Sequence, residues 1–474
     1  MNSPDVPLPC FAPADLAVWT GGEWEHPPAG LRGVVHDSQR VARGCLFVAV
    51  RGGRRDGHDF VAAALAAGAA AAMVARDWPA PGPLPLLRVD DTRRALSAAG
   101  AGYRRALAPF VVGITGSVGK TTVKELTLAL LAADRPAAGT RGNWNNDVGL
   151  PLSLLSMPAG TRAGAFEVGT NHPGEIAALC AVLQPDAAIV TGVGPVHIEF
   201  FGTVEAIAEE KADLVRAVPA TGFAVLDGDA PRAEWMRRQA RCRVLTVSLR
   251  AGAAADYTGA DPDDAGGLVT VRERASGREA RLSCARPGRH QALNLLLAVA
   301  AARAAGVSWE RLPEGLARLG RLPMRWETVD LGAVRAINDA YNANPVSVRC
   351  ALDTFARLPA PGGRVLVLGD MLELGDAAEA AHREVGRQVA AGPWRALLAV
   401  GPLAPWIADE ARAAGFQGEI WRAANADAAG AVLARSLRSG ETVLLKASRG
   451  VALERVLEPL RARFAAPPAP EGRA

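Results

Sequence analysis

Several features are missing from this 474-residue chain, and each absence closes off a class of protein. The six cysteines, Cys10, Cys45, Cys180, Cys242, Cys284 and Cys350, are scattered with no C-x-x-C pair. That spacing suits neither a zinc ribbon nor a disulfide framework, and it fits reduced thiols in a cytoplasmic protein. No apolar run reaches the roughly 18 residues needed to span a bilayer. The longest candidates, such as "AAALAAGAAAAMVA", are alanine-rich and suit packed helices. The opening "MNSPDVPLPC" has no charged segment followed by an apolar one, so no leader is expected. Charge of one sign is also lacking. The 53 Lys/Arg against 49 Asp/Glu leave a formal charge of +4, which argues against a nucleic-acid or membrane partner. No solenoid-type repeat is visible.

What is present is a chain too long for one core, so two to four domains are expected at about 100–200 residues each. Residues 1–108 mix short strands ("GCLFVAVRG", "AAAMVA", "PLLRV") with helices ("DFVAAALAAG", and "DTRRALSAAGAGYRRALA" opened by an acidic N-cap). Residues 109–322 repeat strand, glycine turn, helix: "FVVGIT", "GAFEVG", "DAAIVTGV" and "GFAVLDGD" read as strands. That alternation predicts a parallel sheet covered on both faces. The segment from "GADPDDAGG" to "RLSC" alternates apolar and polar residues and reads as an antiparallel hairpin, followed by the helix "HQALNLLLAVAAARAAG". Residues 323–474 alternate again, with strands "VRAINDAY", "GRVLVLGD", "RALLAVG" and "ETVLLKAS". The Pro/Ala-rich tail from about 466 is predicted to be disordered.

The chemistry concentrates behind strand ends. "GITGSVGKTT" (113–122) nearly matches G-x-x-x-x-G-K-[ST], but Ile114 stands where the first glycine belongs. Gly113, Gly116 and Gly119 between a strand and a helix would let backbone N–H groups face a phosphate. Lys120 adds a point charge and Thr121 a hydroxyl for Mg²⁺. Gly116 can make the turn in place of the missing glycine. In "TRGNWNNDVGLP", Asn143, Asn145 and Asn146 cluster in a loop; they serve either the turn itself or a polar substrate. Glu167 ends the strand of "FEVGTNHPGEI", placed for a salt bridge or a phosphate-bound metal. His197 follows another strand in "TGVGPVHIEFFGT", on the sheet edge where ligands bind. In "GTVEAIAEEKADLVRAV", Lys211 lies on the same helix face as Ile207 and Leu214. A lysine there must snorkel, pair, or lose its charge. A neutral amine could take up CO₂ as a carbamate, an anion able to hold Mg²⁺. "NDAYNANPVSV", "GDMLELG" and "KASRG" also follow strands and are predicted to share one edge facing a cleft.

The loop on its own also suits an NTPase that uses hydrolysis as a conformational switch, a reading that leaves the asparagines, Lys211 and residues 1–108 unexplained. Taken in order, "HDSQRVARGCLFVAVRGGRRDGHDF", "GITGSVGKTT", "GNWNNDVGLP", "FEVGTNHPGEI", "GRHQALN", "NDAYNANPVS" and "LGDMLELG" resemble the Mur ligase family over nearly the whole chain. Folylpolyglutamate synthases share the core but lack the first domain.

The resemblance implies an α/β fold of three domains: a small α/β N-terminal domain that binds a UDP-sugar, a central P-loop ATPase-like parallel-sheet domain, and a Rossmann-like C-terminal domain. It implies ATP at Gly116, Ser117, Val118, Gly119, Lys120, Thr121 and Thr122, with His290, Asn294, Arg325 and Asp339. It implies Mg²⁺ at Thr121 and Glu167, and a second at His197 and carbamylated Lys211; Lys120, Glu167, His197 and Lys211 are the catalytic group. Ser38, Asn145, Asn146, Asn342 and Asn344 are implied as substrate contacts. "DAYNANP" implies UDP-N-acetylmuramoyl-tripeptide as the carboxylate substrate and D-alanyl-D-alanine as the amine, handled by a monomer. Three positions depart from the family: Gln39 before Arg40, Thr170 in "EVGTN", and the alanine of "KASRG". The first leaves the UDP-sugar contacts open.

Overall fold

The computed structural model describes residues 8–53, 55–260, 267–284 and 286–464. The expected tail disorder from 466, and the start of the expected hairpin segment, lie outside the described residues.

Residues 8–108 build a five-stranded sheet ordered Glu23–Glu25, Leu86–Val89, Ala71–Ala75, Leu46–Val48, Val34–Val35, in which only Glu23–Glu25 runs antiparallel to its neighbour. The helix Thr92–Leu107 begins where Asp91 accepts a 2.9 Å hydrogen bond from the Arg94 amide, the acidic N-cap expected of "DTRR". Its inner face carries Leu96, Ala99 and Tyr103, which share one core with Leu150, Leu154 and Met157 of the next block. Tyr103 also donates to the Met157 carbonyl at 2.8 Å.

The central sheet has nine strands, ordered Glu279–Ser283, Leu268–Glu273, Tyr257–Gly259, Arg243–Ser248, Phe223–Asp227, Ala187–Val190, Phe110–Thr115, Ala163–Glu167, Ala137–Gly139. The first two form the antiparallel hairpin at one end, and the other seven are parallel. Ala163–Glu167 and Ala187–Val190 are buried at every position, as strands covered on both faces must be. One cover is the helix Arg289–Ala304, which packs on Lys120–Ala132.

The last block holds six strands ordered Glu327–Asp330, Arg335–Asn338, Thr442–Lys446, Arg364–Gly369, Ala396–Val400, Glu419–Ala423; all but the first are parallel. Separate apolar cores lie on its two faces. Sequence reasoning missed Ala137–Gly139, Arg243–Ser248, Glu327–Asp330 and Glu419–Ala423. Three of these are edge strands: Ala137–Gly139 is only three small, partly exposed residues, and Glu327–Asp330 and Glu419–Ala423 carry charged, exposed positions that blur their period.

Parallel strands put all their carboxyl ends on one edge of a sheet. In the central and last sheets those edges face each other across one cleft.

Candidate functional site

The cleft has a volume of about 670 Å³ and is walled by both sheets' strand-end loops. Ser117 to Thr122, Asn143, Asn145, Asn146 and Glu167 contribute from one side, and Asp339, Tyr341 to Asn344, Glu373, Lys446 and Arg449 from the other.

Gly113 is not part of the loop. It lies inside the strand Phe110–Thr115, where a side chain would meet Leu214, so the turn belongs to residues 116–119 alone. Gly116 has φ +150° and Gly119 +88°, a region L residues avoid. A Cβ on Gly116 would run into Thr191 Oγ1, and one on Gly119 would stand 2.5 Å from Asn294 Oδ1. The loop is therefore pressed against two polar side chains, with Thr191 donating to the Val118 carbonyl and the Ser117 hydroxyl exchanging 2.9 Å hydrogen bonds with Gly194. Lys120 starts the helix Lys120–Ala132 and bonds back to the Gly116 carbonyl at 2.8 Å. Burial pushes its ammonium below the usual lysine range; Glu167 opposes that shift and Arg325 adds to it.

Glu167 is 3% exposed and both carboxylate oxygens are engaged. Thr121 donates to one at 2.7 Å and Asn145 Nδ2 to the other at 2.8 Å. Its amide donates to Thr140 Oγ1 at 2.8 Å, and the Thr140 carbonyl accepts a 2.9 Å bond from fully buried Lys124. Arg325 reaches in from the last domain and donates to Thr121 Oγ1 at 2.8 Å, its guanidinium 4.0 Å above the Tyr341 ring.

Lys211 stands on the helix Val204–Arg216, whose N-cap Thr203 accepts from Ala206 as expected. It is 3% exposed and none of the described residues hydrogen-bonds its amine, so of the three outcomes open to it the structure favours loss of charge. Burial first, and Lys120 second, bring its pKa down to about 7, against the pull of Glu210. Lys211 is not itself in the cleft wall. Its neighbour Glu210 accepts from the Gly174 and Ile176 amides at 2.7 Å and from Thr170 at 3.2 Å, pinning a loop that is in the wall.

His197 has φ +56° and opens the short helix Ile198–Phe201. Its Nδ1 lies 2.6 Å from Glu373 Oε2 of the last domain, an ion-pair approach whose angle falls short of a hydrogen bond. The ring beside it holds the Glu373 carboxyl below the usual range.

On the far wall, Asp339 accepts from Lys446 Nζ at 2.6 Å and from the Trp326 amide at 3.1 Å. His290 is pushed down to about 4 by burial, with Asp339 opposing, and so is neutral near pH 7. Asn294 and Gln291 pair beside it at 3.4 Å. Asn146 accepts from the Gly149 amide at 2.8 Å, and Asn342 from the Ala343 amide at 2.9 Å. Asn344 caps the helix Pro345–Arg357 in a reciprocal pair with Ser347. Ser38 sits apart, in a turn capped by Asp37 and outside this cleft's wall. Nearby His36 makes an edge contact with Trp144 of the asparagine loop at 6.1 Å.

The structure thus gathers every sequence-predicted site residue except Ser38, Gly116 and Lys211 into the cleft wall; Gly116 lies just behind it, at the start of the turn. Sequence reasoning missed Lys446, Glu373 and Thr140. Lys446 left a signal, a lysine ending the apolar strand "ETVLL"; Glu373 and Thr140 left none, because their roles depend on which loops meet.

Family profiles described as "Mur ligase middle domain", "Mur ligase, glutamate ligase domain" and "Mur ligase family, catalytic domain" match residues 114–302, 324–449 and 31–104. The chain is similar to the UDP-N-acetylmuramoyl-tripeptide–D-alanyl-D-alanine ligase of Bacillus subtilis, at 33% identity over 94% of this chain and 97% of that one. It is similar to the ligase of the same name from Escherichia coli, at 34% identity over 93% and 96%. Among solved structures, MurF from Acinetobacter baumannii superposes with a TM-score of 0.87 at 29% identity, covering 96% of this chain and 100% of that one. The MurF ligase from Thermotoga maritima in complex with ADP superposes at 0.79 with 30% identity, covering 91% and 98%.

Proposed function

The chain belongs to the Mur ligase family, and from that premise we propose that it joins D-alanyl-D-alanine to UDP-N-acetylmuramoyl-tripeptide with consumption of ATP. The observation that carries this reading is the single cleft in which the phosphate loop and Glu167 face the Asp339–Asn344 loop. Nucleotide, carboxylate and amine have to meet in one such enclosure. The three domains divide near residues 108 and 322. The protein works as a monomer in cytoplasmic peptidoglycan precursor synthesis. No helix of the described residues is long and apolar enough to cross a membrane.

The amides of Gly116 to Thr122 and the start of the helix Lys120–Ala132 receive the ATP phosphates. Lys120 leaves the Gly116 carbonyl for the outer phosphate oxygens. Asn294, neutral His290, Arg325 and Asp339 hold the rest of the nucleotide. Hard oxygen donors suit Mg²⁺, and the Thr121 hydroxyl and Glu167 carboxylate, 2.7 Å apart, fit it. His197 and Lys211 would hold a second ion, Lys211 as a carbamate; with its pKa lowered to about 7, a substantial share of its amine is in the neutral form that CO₂ attacks. Bound Mg²⁺ neutralises charge on the transferring phosphoryl group.

The chemistry has two steps. The terminal carboxylate of the tripeptide, oriented by Asn145 and Asn146, attacks the γ-phosphorus, giving ADP and an acyl phosphate. The amine of D-alanyl-D-alanine, framed by Asn342 and Asn344, then attacks the acyl carbon; phosphate leaves and the amine gives up a proton. Negative charge grows on oxygen in both steps, where Lys120 and Arg325 stabilise it. Contacts such as Arg325 to Thr121 keep the last domain over the loop and exclude water, which would hydrolyse the acyl phosphate.

An assay with ATP, Mg²⁺, the UDP-muramoyl-tripeptide and D-alanyl-D-alanine should yield ADP, phosphate and the pentapeptide product. Turnover with a single amino acid but none with the dipeptide would point to a sister ligase. Comparing L-lysine with diaminopimelate as the third residue settles the remaining choice of substrate.

A further inference from the structure

The turn that carries His197 belongs by sequence to the central domain but packs with the last one. Ile198 rests on the last domain's core, and the Glu199 side chain lies against Gly375. Facing His197 is Glu373, in the "GDMLELG" loop after the strand Arg364–Gly369. Both residues hold left-handed backbone angles, φ +56° for His197 and +62° for Glu373. Neither is a glycine or an asparagine, so the surrounding packing over-determines both conformations, a condition that clusters at functional sites. Both line the cleft.

The contact is specific about the ring atom. Glu373 Oε2 stands 2.6 Å from Nδ1, while Nε2 has no partner among the described residues. The 2.6 Å approach needs only a change of angle to become a hydrogen bond; a carboxylate bonded to one imidazole nitrogen would keep the proton there, fix the ring's orientation, and leave the other nitrogen's lone pair free for a cation. Here the carboxylate is brought by a different domain from the histidine.

We propose that Glu373 is a positioning residue for His197, so that closure of the last domain completes the second metal site. The inference rests on the reading of His197 as a metal-holding residue given above. It assigns to the "GDMLELG" loop a role in catalysis through His197 without any contact to substrate.

The test is Mn²⁺ titration of the full-length protein with a non-hydrolysable ATP analogue, free Mn²⁺ being read by electron paramagnetic resonance. Glu373→Ala is expected to weaken one Mn²⁺ site by about 10–100-fold. Glu373 is half-exposed, and Glu373→Gln, which keeps the shape and removes the charge, should weaken the same site. His197→Ala should weaken it too, and the double variant should bind no more weakly than His197→Ala alone. An affinity within about twofold of wild type for both Glu373 variants overturns the proposal, as does a double variant whose loss is the product of the two single losses. If His197→Ala itself leaves Mn²⁺ binding unchanged, the metal role of His197 fails first, a result distinct from a silent Glu373. A wild-type protein that binds Mn²⁺ in this way but makes no pentapeptide would count against the substrate reading alone.

Discussion

Arg325 donates a 2.8 Å hydrogen bond to the Thr121 hydroxyl, and that hydroxyl in turn donates a 2.7 Å hydrogen bond to Glu167. The guanidinium that makes this reach lies over the Tyr341 ring, 4.0 Å from its centroid. A cation from the last domain thus lies beside the first residues of the phosphate loop's helix, where charge develops during phosphoryl transfer. Replacing Arg325 by Met should lower kcat/KM for ATP by about 10²–10³-fold, the usual cost of losing one preorganised donor. Arg325→Lys should not restore it, because an ammonium cannot match the planar, stacked fork. Tyr341→Phe keeps the ring and should stay near wild type. Steady-state kinetics with ATP varied check all three, and an Arg325→Met enzyme within a few-fold of wild type would remove Arg325 from the machinery.

Lys211 makes a pH-dependent prediction. Its pKa is lowered to about 7, so half the amine is already neutral near that pH. Only the neutral amine forms a carbamate. Carbamate should therefore be present above about 7 and lost as pH falls through that value, unlike an ordinary lysine, which would need a pH near 10. Carbon-13 NMR with labelled bicarbonate should show a carbamate signal that fades on acidification and is missing in Lys211→Ala. That variant should be inactive and partly rescued by a short-chain carboxylic acid. Near-normal activity in Lys211→Ala sinks the role.

The same lowered pKa has a stability consequence with the opposite partner. Between about 7 and the unfolded lysine value, the unfolded chain binds a proton that the folded chain does not. Stability should therefore rise with pH across that window, and the cost of burying the charge is fully present below it. Lys211→Met should melt higher than wild type at pH 6 and lose that advantage progressively as pH rises from about 7 towards about 10, in carbonate-free buffer. Parallel melting curves for the two proteins across that range would refute the buried, unpaired amine.

How much of this was legible beforehand follows from where each signal resides. The strand–glycine–helix rhythm is local, so Phe110–Thr115, Ala163–Glu167 and Lys120–Ala132 could be read from spacing alone. Lys211 was legible because a charge on an apolar helix face breaks a local rule. The missing glycine of the phosphate loop resolves locally too, since Gly116 takes the turn with φ +150°. Gly113 misled because a glycine in a strand and a glycine in a turn look alike in sequence; only the packing of Leu214 distinguishes them. Arg325 to Thr121 and His197 to Glu373 span 204 and 176 positions and depend on how two domains meet, which no local pattern encodes.

The two loop glycines differ from the strand glycine in a testable way. Gly119→Ala forces a Cβ to 2.5 Å from Asn294 Oδ1 at φ +88°, so both backbone strain and displacement of Asn294 oppose it. An alanine where φ is positive typically destabilises by more than about 1 kcal/mol. The expected result is loss of ATP binding by calorimetry, with the six-stranded last domain still folded. Asn294→Ala in the same chain should relieve the clash, although not the backbone strain, and recover part of the stability. No recovery in the double variant would mean that the strain at φ +88° dominates.

Asn344 separates a structural role from a binding role within one side chain. Its Oδ1 accepts from the Ser347 amide at 2.9 Å and its own amide donates to Ser347 Oγ at 3.0 Å, closing a capping box at the start of Pro345–Arg357. The cap uses the carbonyl half of the amide and leaves the NH₂ half, in the cleft wall, for the incoming dipeptide. Asn344→Ala removes both and should cost about 1 kcal/mol of cap stability. It should be visible as faster hydrogen exchange at the Ser347 amide. Asn344→Ser restores the cap acceptor but carries no NH₂ group, so exchange should return to the wild-type rate. The KM for D-alanyl-D-alanine should nonetheless stay raised, because a hydrogen bond worth about 0.5–1.5 kcal/mol is missing, up to about tenfold in binding. If Asn344→Ser restores KM together with the exchange rate, the asparagine serves the helix alone, and the dipeptide is held by Asn342 and the loop backbone.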